Sequence, residues 1–183
     1  DEKATEIRRI EDKTDRYEDA IGTYLVKLSS HQTGDKASEK ATMLLKLIGD
    51  FEGISDHAVN IIESVEELRD KGLAFSPDAQ AELSVLTQSA TEIASLALSA
   101  FVDNDLSKSQ LIEPLEEVID ILKEQLRTRH IYRLQGGDCS ISAGFVWSDI
   151  LTNLERTSDH CSNIAACIID TAADNLNLHQ SVR

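Results

Sequence analysis

An all-α fold is predicted for this chain by three observations. First, breakers are scarce: the 183 residues include only two prolines, Pro77 and Pro114, and eight glycines. Second, apolar residues recur at alternating three- and four-residue steps over long segments, the period of one helix face. Third, an eleven-residue segment occurs twice at a constant offset, each time inside a helical pattern. Nothing in the chain calls for a sheet.

Five long helices follow in order. The first is predicted from about Glu2 to Leu28, with Ile7, Ile10, Ile21, Leu25 and Leu28 among its apolar positions. Ser29 to Asp35 is polar, contains Gly34 and reads as a turn. The second runs from about Lys36 to Arg69, with Leu44, Ile48, Phe51, Ser55, Ala58, Ile62 and Val65 as its stripe, and Gly72 ends it. Ser76-Pro77-Asp78 is a helix start, with serine at the N-cap and proline at the first helical position. The third helix continues through Leu83, Leu86, Ile93, Leu96 and Phe101 until Asp103-Asn104-Asp105. The fourth spans about Ser107 to Leu134, with Pro114 in its first turns, and Gly136-Gly137 stops it. The fifth starts near Ser140 to Ala143 and ends near Asp170, leaving the last dozen residues frayed. Short turns between long helices predict an antiparallel bundle.

The repeat organises the chain. Phe51-Glu52-Gly53-Ile54-Ser55-Asp56-His57-Ala58-Val59-Asn60-Ile61 aligns with Leu154-Glu155-Arg156-Thr157-Ser158-Asp159-His160-Cys161-Ser162-Asn163-Ile164 at an offset of 103. Each copy follows a helix with its own acid pair, Glu11 with Asp15 and Glu116 with Asp120. Residues 1–75 thus form a first half-repeat of two helices, and residues 76–183 a second repeat of three. The first repeat lacks a counterpart of the third helix, which in a full duplication would precede Asp1. Asp1 opens inside a helical pattern and the only methionine is Met43, so the chain is expected to be cut from a longer protein.

The acid pairs are the candidate chemistry. Residues four apart project from one side of a helix. Glu52 and Asp56 can meet Glu11 and Asp15 if their helices pack face to face, and Glu155 and Asp159 can meet Glu116 and Asp120. Four carboxylates on two helices make a hard-oxygen site for a divalent or trivalent metal. The competing reading is a solvated acidic rim, since chance alone supplies about six such pairs on helices this acidic. Recurrence in both repeats favours the site. His57 and His160 fall on the other side of their helices and are expected to make capping or inter-helix hydrogen bonds. Asn60 and Asn163 are expected to orient a carboxylate or bond the backbone. Arg156 either braces an acid or stays in solvent; its counterpart Gly53, with Gly49, removes bulk near the acid edge, for a close helix, an ion cluster or plain packing.

Composition excludes several classes. A formal charge of −15 and a sequence pI of about 4.6 argue against nucleic acid and anionic lipid as partners. Cys139, Cys161 and Cys167 form no CxxC pair and fit a reduced compartment. No run of about 18 apolar residues is present, so no direct membrane insertion by this chain is expected. There is no Ser/His/Asp order, phosphate-binding glycine loop or Walker motif. Ferritin-like di-metal enzymes use Glu-x-x-His pairs, which do not accompany the acids here. An enzyme is therefore not expected. The alternative to a metal-binding domain is a metal-free helical adaptor.

The segments Phe51 to His57 and Leu154 to His160 resemble the two LERIGDH-type signatures of PhoU proteins. The runs Glu113 to Asp120, Arg129 to Ser140 and Asp159 to Ala165 are similar to the PhoU branch fused to bacterial sodium/phosphate cotransporters. The resemblance implies a duplicated three-helix bundle whose acidic motifs hold metal clusters, in several cases iron or zinc. It carries over Glu11, Asp15, Glu52, Asp56, Glu116, Asp120, Glu155 and Asp159 as ligands. It also implies a regulatory domain at the cytoplasmic face of the inner membrane, with the transporter segment of the parent chain as partner. Two departures stand out. Gly53 replaces the usual arginine, marking the first site as the degenerate one. The absent first helix leaves an apolar face that a homodimer would cover.

Overall fold

The computed structural model describes residues 2–31 and 35–181. Among these residues there are helices and no strands. They are α1 (Glu2–His31), α2 (Asp35–Asp70), α3 (Pro77–Asp103), α4 (Leu106–Ser109), α5 (Ile112–Gly136) and α6 (Ile141–Ser181). The expected turn at Gly34 lies outside the described residues.

The local signals act as their chemistry requires. Ser76 caps α3 by accepting from Ala79 N, with Pro77 at the helix start. Asn104, in the left-handed region at φ 51°, closes α3. Gly137, at φ 78°, closes α5, where glycine carries no Cβ penalty. Ser140 Oγ accepts from Ala143 N at the start of α6.

Two elements differ from the sequence expectation. The fourth helix is split into α4, capped by Asp105 through Ser107 N and Lys108 N, and α5. Asp105 competes for those amides, so one turn closes before Pro114 allows the long helix to begin. At the other end α6 continues past Asp170 to Ser181. No glycine or proline follows Gly144, so nothing stops propagation.

The core lies among α3, α5 and α6. Leu86, Ile93 and Ala100 recur every seven residues on α3, Ile112, Ile119 and Leu126 on α5, and Trp147, Leu154, Cys161 and Ile168 on α6; all are buried. That seam is coiled-coil-like packing. By length and composition α3 is also apolar enough to cross a membrane, at a mean hydropathy of 1.3. This departs from the sequence expectation. Leu86, Ile93, Ala97 and Ala100 of α3 are buried in the core, whereas Val85, Leu98 and Val102 are exposed.

α6 is the hub and packs against α2, α3, α4 and α5, whereas α1 packs on α2 alone among the described residues. The stripe drawn on the second helix is therefore not its deepest seam. The buried positions of α2 are Ala41, Leu47, Asp50, Gly53 and Ser64, while Val65 is exposed. On α1, Leu25 is buried but Ile10, Ile21 and Leu28 are exposed. The repeat supplies the reason. Glu11 and Asp15 align with Glu116 and Asp120 at an offset of 105. At that offset Ile10 and Ile21 match Leu115 and Leu126, which belong to the core that α3 completes.

Candidate functional site

The packing of α5 against α6 brings the second acid set together. Glu116 and Asp120 project from one face of α5, and Asp159 meets them from α6. One ligand oxygen from each lies within 4.8 Å of the others. Asp120 Oδ1 is shut off from solvent with no hydrogen-bond partner. Burial holds the Glu116 carboxyl above its ordinary range, and repulsion from Asp120, Glu113 and Asp159 adds to this. The Asp159 carboxyl is also raised, first by burial and then by Glu155.

Glu155, the fourth expected member, is not in that trio. Its Oε1 lies 2.9 Å from Lys123 Nζ, and both side chains are largely buried. Arg156 does brace an acid: its Nη1 donates to Asp159 Oδ2 at 3.1 Å. Ser162 Oγ donates to Glu113, which extends the polar face.

The first set faces across the α1–α2 seam. Burial raises the Glu52 carboxyl, and Glu18, Asp56, Asp15 and Glu11 raise it further by repulsion. Glu11 is raised first by burial, then by Asp15, Asp12 and Asp56. All four expected residues therefore share one field, although the three-oxygen convergence found among the described residues is at the second set. Glu18 joins them, with Oε1 3.8 Å from where a Cβ on Gly49 would lie. Sequence analysis missed Glu18 and Lys123. Each stands three residues after the aspartate of its pair, a helical spacing that was available as a signal.

Between the two acid sets, α2 and α6 cross through a polar seam related by the repeat. His57 Nδ1 lies 2.8 Å from Asn153 Oδ1, and His160 Nδ1 lies 2.9 Å from Asp50 Oδ1. At the offset of 103, Asp50 is the counterpart of Asn153. The histidines thus make the expected inter-helix bonds. Asn60 holds Asp56, and Asn163 holds Asp50.

The chain is similar to known proteins in sequence and in fold. The PhoU domain profile matches residues 1–65 and 83–168. A phosphate-specific transport system accessory protein PhoU homolog 1 of Thermotoga maritima is 28% identical over 126 residues, covering 69% of this chain and 53% of its own length. The chain thus spans about half of that relative. A PhoU homolog of the same description from Deinococcus radiodurans is 22% identical over 87% of this chain and 74% of its own length. Two crystal structures share the fold. PhoU of Pseudomonas aeruginosa superposes with a TM-score of 0.79 at 23% identity, over 91% of this chain and 79% of its own. The phosphate transport system regulatory protein PhoU of Streptococcus pneumoniae gives 0.74 at 22%, over 92% and 78%.

Proposed function

The chain belongs to the PhoU domain family, and from that membership we propose that it regulates phosphate transport rather than catalysing a reaction. Its curated relatives are named as accessory proteins of phosphate-specific transport systems. The finer reading is a cytoplasmic domain joined to the transporting segment of a sodium-dependent phosphate transporter. It is supported by the resemblance of residues 129–140 and 159–165 to that branch. Deleting the coding segment for these residues is expected to free phosphate uptake from its response to external phosphate. An unchanged response overturns this reading.

We further propose that the paired carboxylates bind a divalent or trivalent metal, iron or zinc by the family resemblance. The observation that carries this is the convergence of Glu116, Asp120 and Asp159 around a buried, unpartnered Asp120 oxygen. A carboxylate oxygen removed from water without a partner is costly, and a hard cation is the partner its chemistry prefers. The donor set fits: carboxylates come from two rigid helices, and Asn60 orients Asp56 in the first set. A bound ion would offset the repulsion among Glu116, Asp120 and Asp159. Elemental analysis of the purified protein beside a Glu116→Ala, Asp120→Ala variant tests it. Stoichiometric metal that falls in the variant is expected; metal-free protein that stays empty after iron or zinc is offered defeats it.

A further inference from the structure

The segment Arg129 to Ser140 plays no part in the acid sets. Its arginines lie where the first turns of α3 and α6 meet the last turns of α5. Glu82 of α3 bridges them: its Oε1 accepts from Arg129 Nη1 at 3.1 Å and its Oε2 from Arg133 Nη1 at 2.8 Å. The Glu82 and Arg133 side chains are only 12% and 14% exposed. Arg133 also lies over Trp147, with Cζ 5.2 Å from the ring centroid, and His130 stacks on the same ring. Among the described residues, Arg133 Nε and Nη2 and Trp147 Nε1 are buried donors without an acceptor. His130 Nε2 is buried and unpartnered too, but it faces Gly144, where a Cβ would stand 2.7 Å away. An open pocket of about 440 Å³ between α3 and α5 is lined by Asp78, Ala81, Glu82, Arg129, Tyr132 and Arg133.

We propose that this pocket binds a tetrahedral oxyanion of the phosphate class, with Glu82 as a built-in competitor that leaves when the anion enters. Two guanidinium groups on successive turns of α5 converge on one anionic group, the arrangement that recognises phosphate and carboxylate. The resident carboxylate fills it incompletely. Its two oxygens are both spent on the Nη1 atoms, and the Nε–Nη2 edge of Arg133, suited to two parallel bonds with an oxyanion, stays buried without an acceptor. A ligand with four oxygens supplies the acceptors that are missing. The charge is local as well. In a chain of formal charge −15, Arg127, Arg129 and Arg133 stand within seven residues that hold no acid. Asp78 and Glu82 on the pocket wall together balance Arg129 and Arg133, so an anion binds only as Glu82 swings out. The site uses neither acid set and is independent of the metal reading.

The test is titration of the metal-stripped full chain with inorganic phosphate in a low-salt chloride buffer. Calorimetry follows it, together with the emission of Trp147, the one tryptophan of the chain. One phosphate per chain is expected, with a saturable change in emission, since Arg133 lies over that ring. Sulfate should compete, and acetate at equal concentration should not. Glu82→Gln keeps the shape, removes the competing charge and should tighten phosphate by about tenfold or more. Arg133→Lys keeps the charge, loses the fork and should weaken it by about tenfold or more. Arg129→Gln should weaken it too, while Glu116→Ala with Asp120→Ala should leave it unchanged. Circular dichroism of each variant controls for folding. No saturable phosphate binding by the wild type or by Glu82→Gln overturns the proposal. So does binding that is indifferent to Arg133→Lys and Arg129→Gln, or that acetate matches.

Discussion

His160 packs against Gly53 across the α2–α6 seam: a Cβ on Gly53 would stand 2.4 Å from His160 Nε2. The same ring gives its Nδ1 to Asp50, and its centroid is 5.4 Å from that of His57. The two repeats are joined at their histidines, and a glycine makes room for one of the rings. A carboxylate only accepts, so Nδ1 of His160 carries the proton in this bond.

Gly53→Ala is expected to destabilise the protein by about 1–3 kcal/mol, because the methyl group must displace the ring in a packed seam. The change gains roughly 1 kcal/mol of helix propensity, so a net loss identifies the clash as the larger effect. Urea unfolding measures it. Combining Gly53→Ala with His160→Ala should recover most of the loss, and an additive double variant would show that His160 is not the obstacle.

Asp50 accepts from both His160 and Asn163 and is itself buried. Asp50→Ala strands two donors and is expected to cost about 1–3 kcal/mol. Asp50→Asn keeps an acceptor, as Asn153 does for His57, and should cost clearly less. Equal losses in the two variants would mean that packing volume, not the acceptor, is what Asp50 supplies.

His130 stacks on Trp147, with 5.8 Å between ring centroids. Burial holds its pKa below the ordinary value of 6.5, and the neighbouring Arg133 lowers it further. The folded protein thus favours the neutral ring. The sign follows from linkage: the stability this gives is present above pH 6.5 and is lost as pH falls from there through the folded-state value. Proton NMR should place the His130 midpoint below 6.5. A midpoint at or above the ordinary value would contradict the burial seen here.

Cys161 is fully buried, and burial pushes its thiol up to about 12. It is expected to resist a disulfide reagent at neutral pH until the chain unfolds, whereas the less buried Cys139 reacts in the native state. Modification of Cys161 in native protein, located by mass spectrometry, would show that the α6 seam opens readily.

Much of this molecule was readable in its residues. The breakers placed the helix ends at Gly72, Ser76-Pro77, Asn104 and Gly137, because caps and turns are local chemistry. The offset of 103 marked the repeated segment and its acid pairs, Glu52 with Asp56 and Glu155 with Asp159, because one solution to one packing problem leaves the same side chains at the same spacing. Glu18 and Lys123 were legible too, yet a charged residue on an acidic helix has no distinguishing mark until a neighbouring helix faces it.

Periodicity along one helix assigns faces but not partners. It could not say that Ile10 and Ile21 lie on a face uncovered by α2, since an apolar row looks the same whether or not another helix lies on it. Nor could it place the ring of His160 on Gly53 or set Lys123 against Glu155. Those pairings join residues far apart in the chain, and they depend on how α2, α5 and α6 bury their apolar seams together. That burial decides which polar groups are left facing one another, and so which of two similar acid clusters meets its own counter-charge.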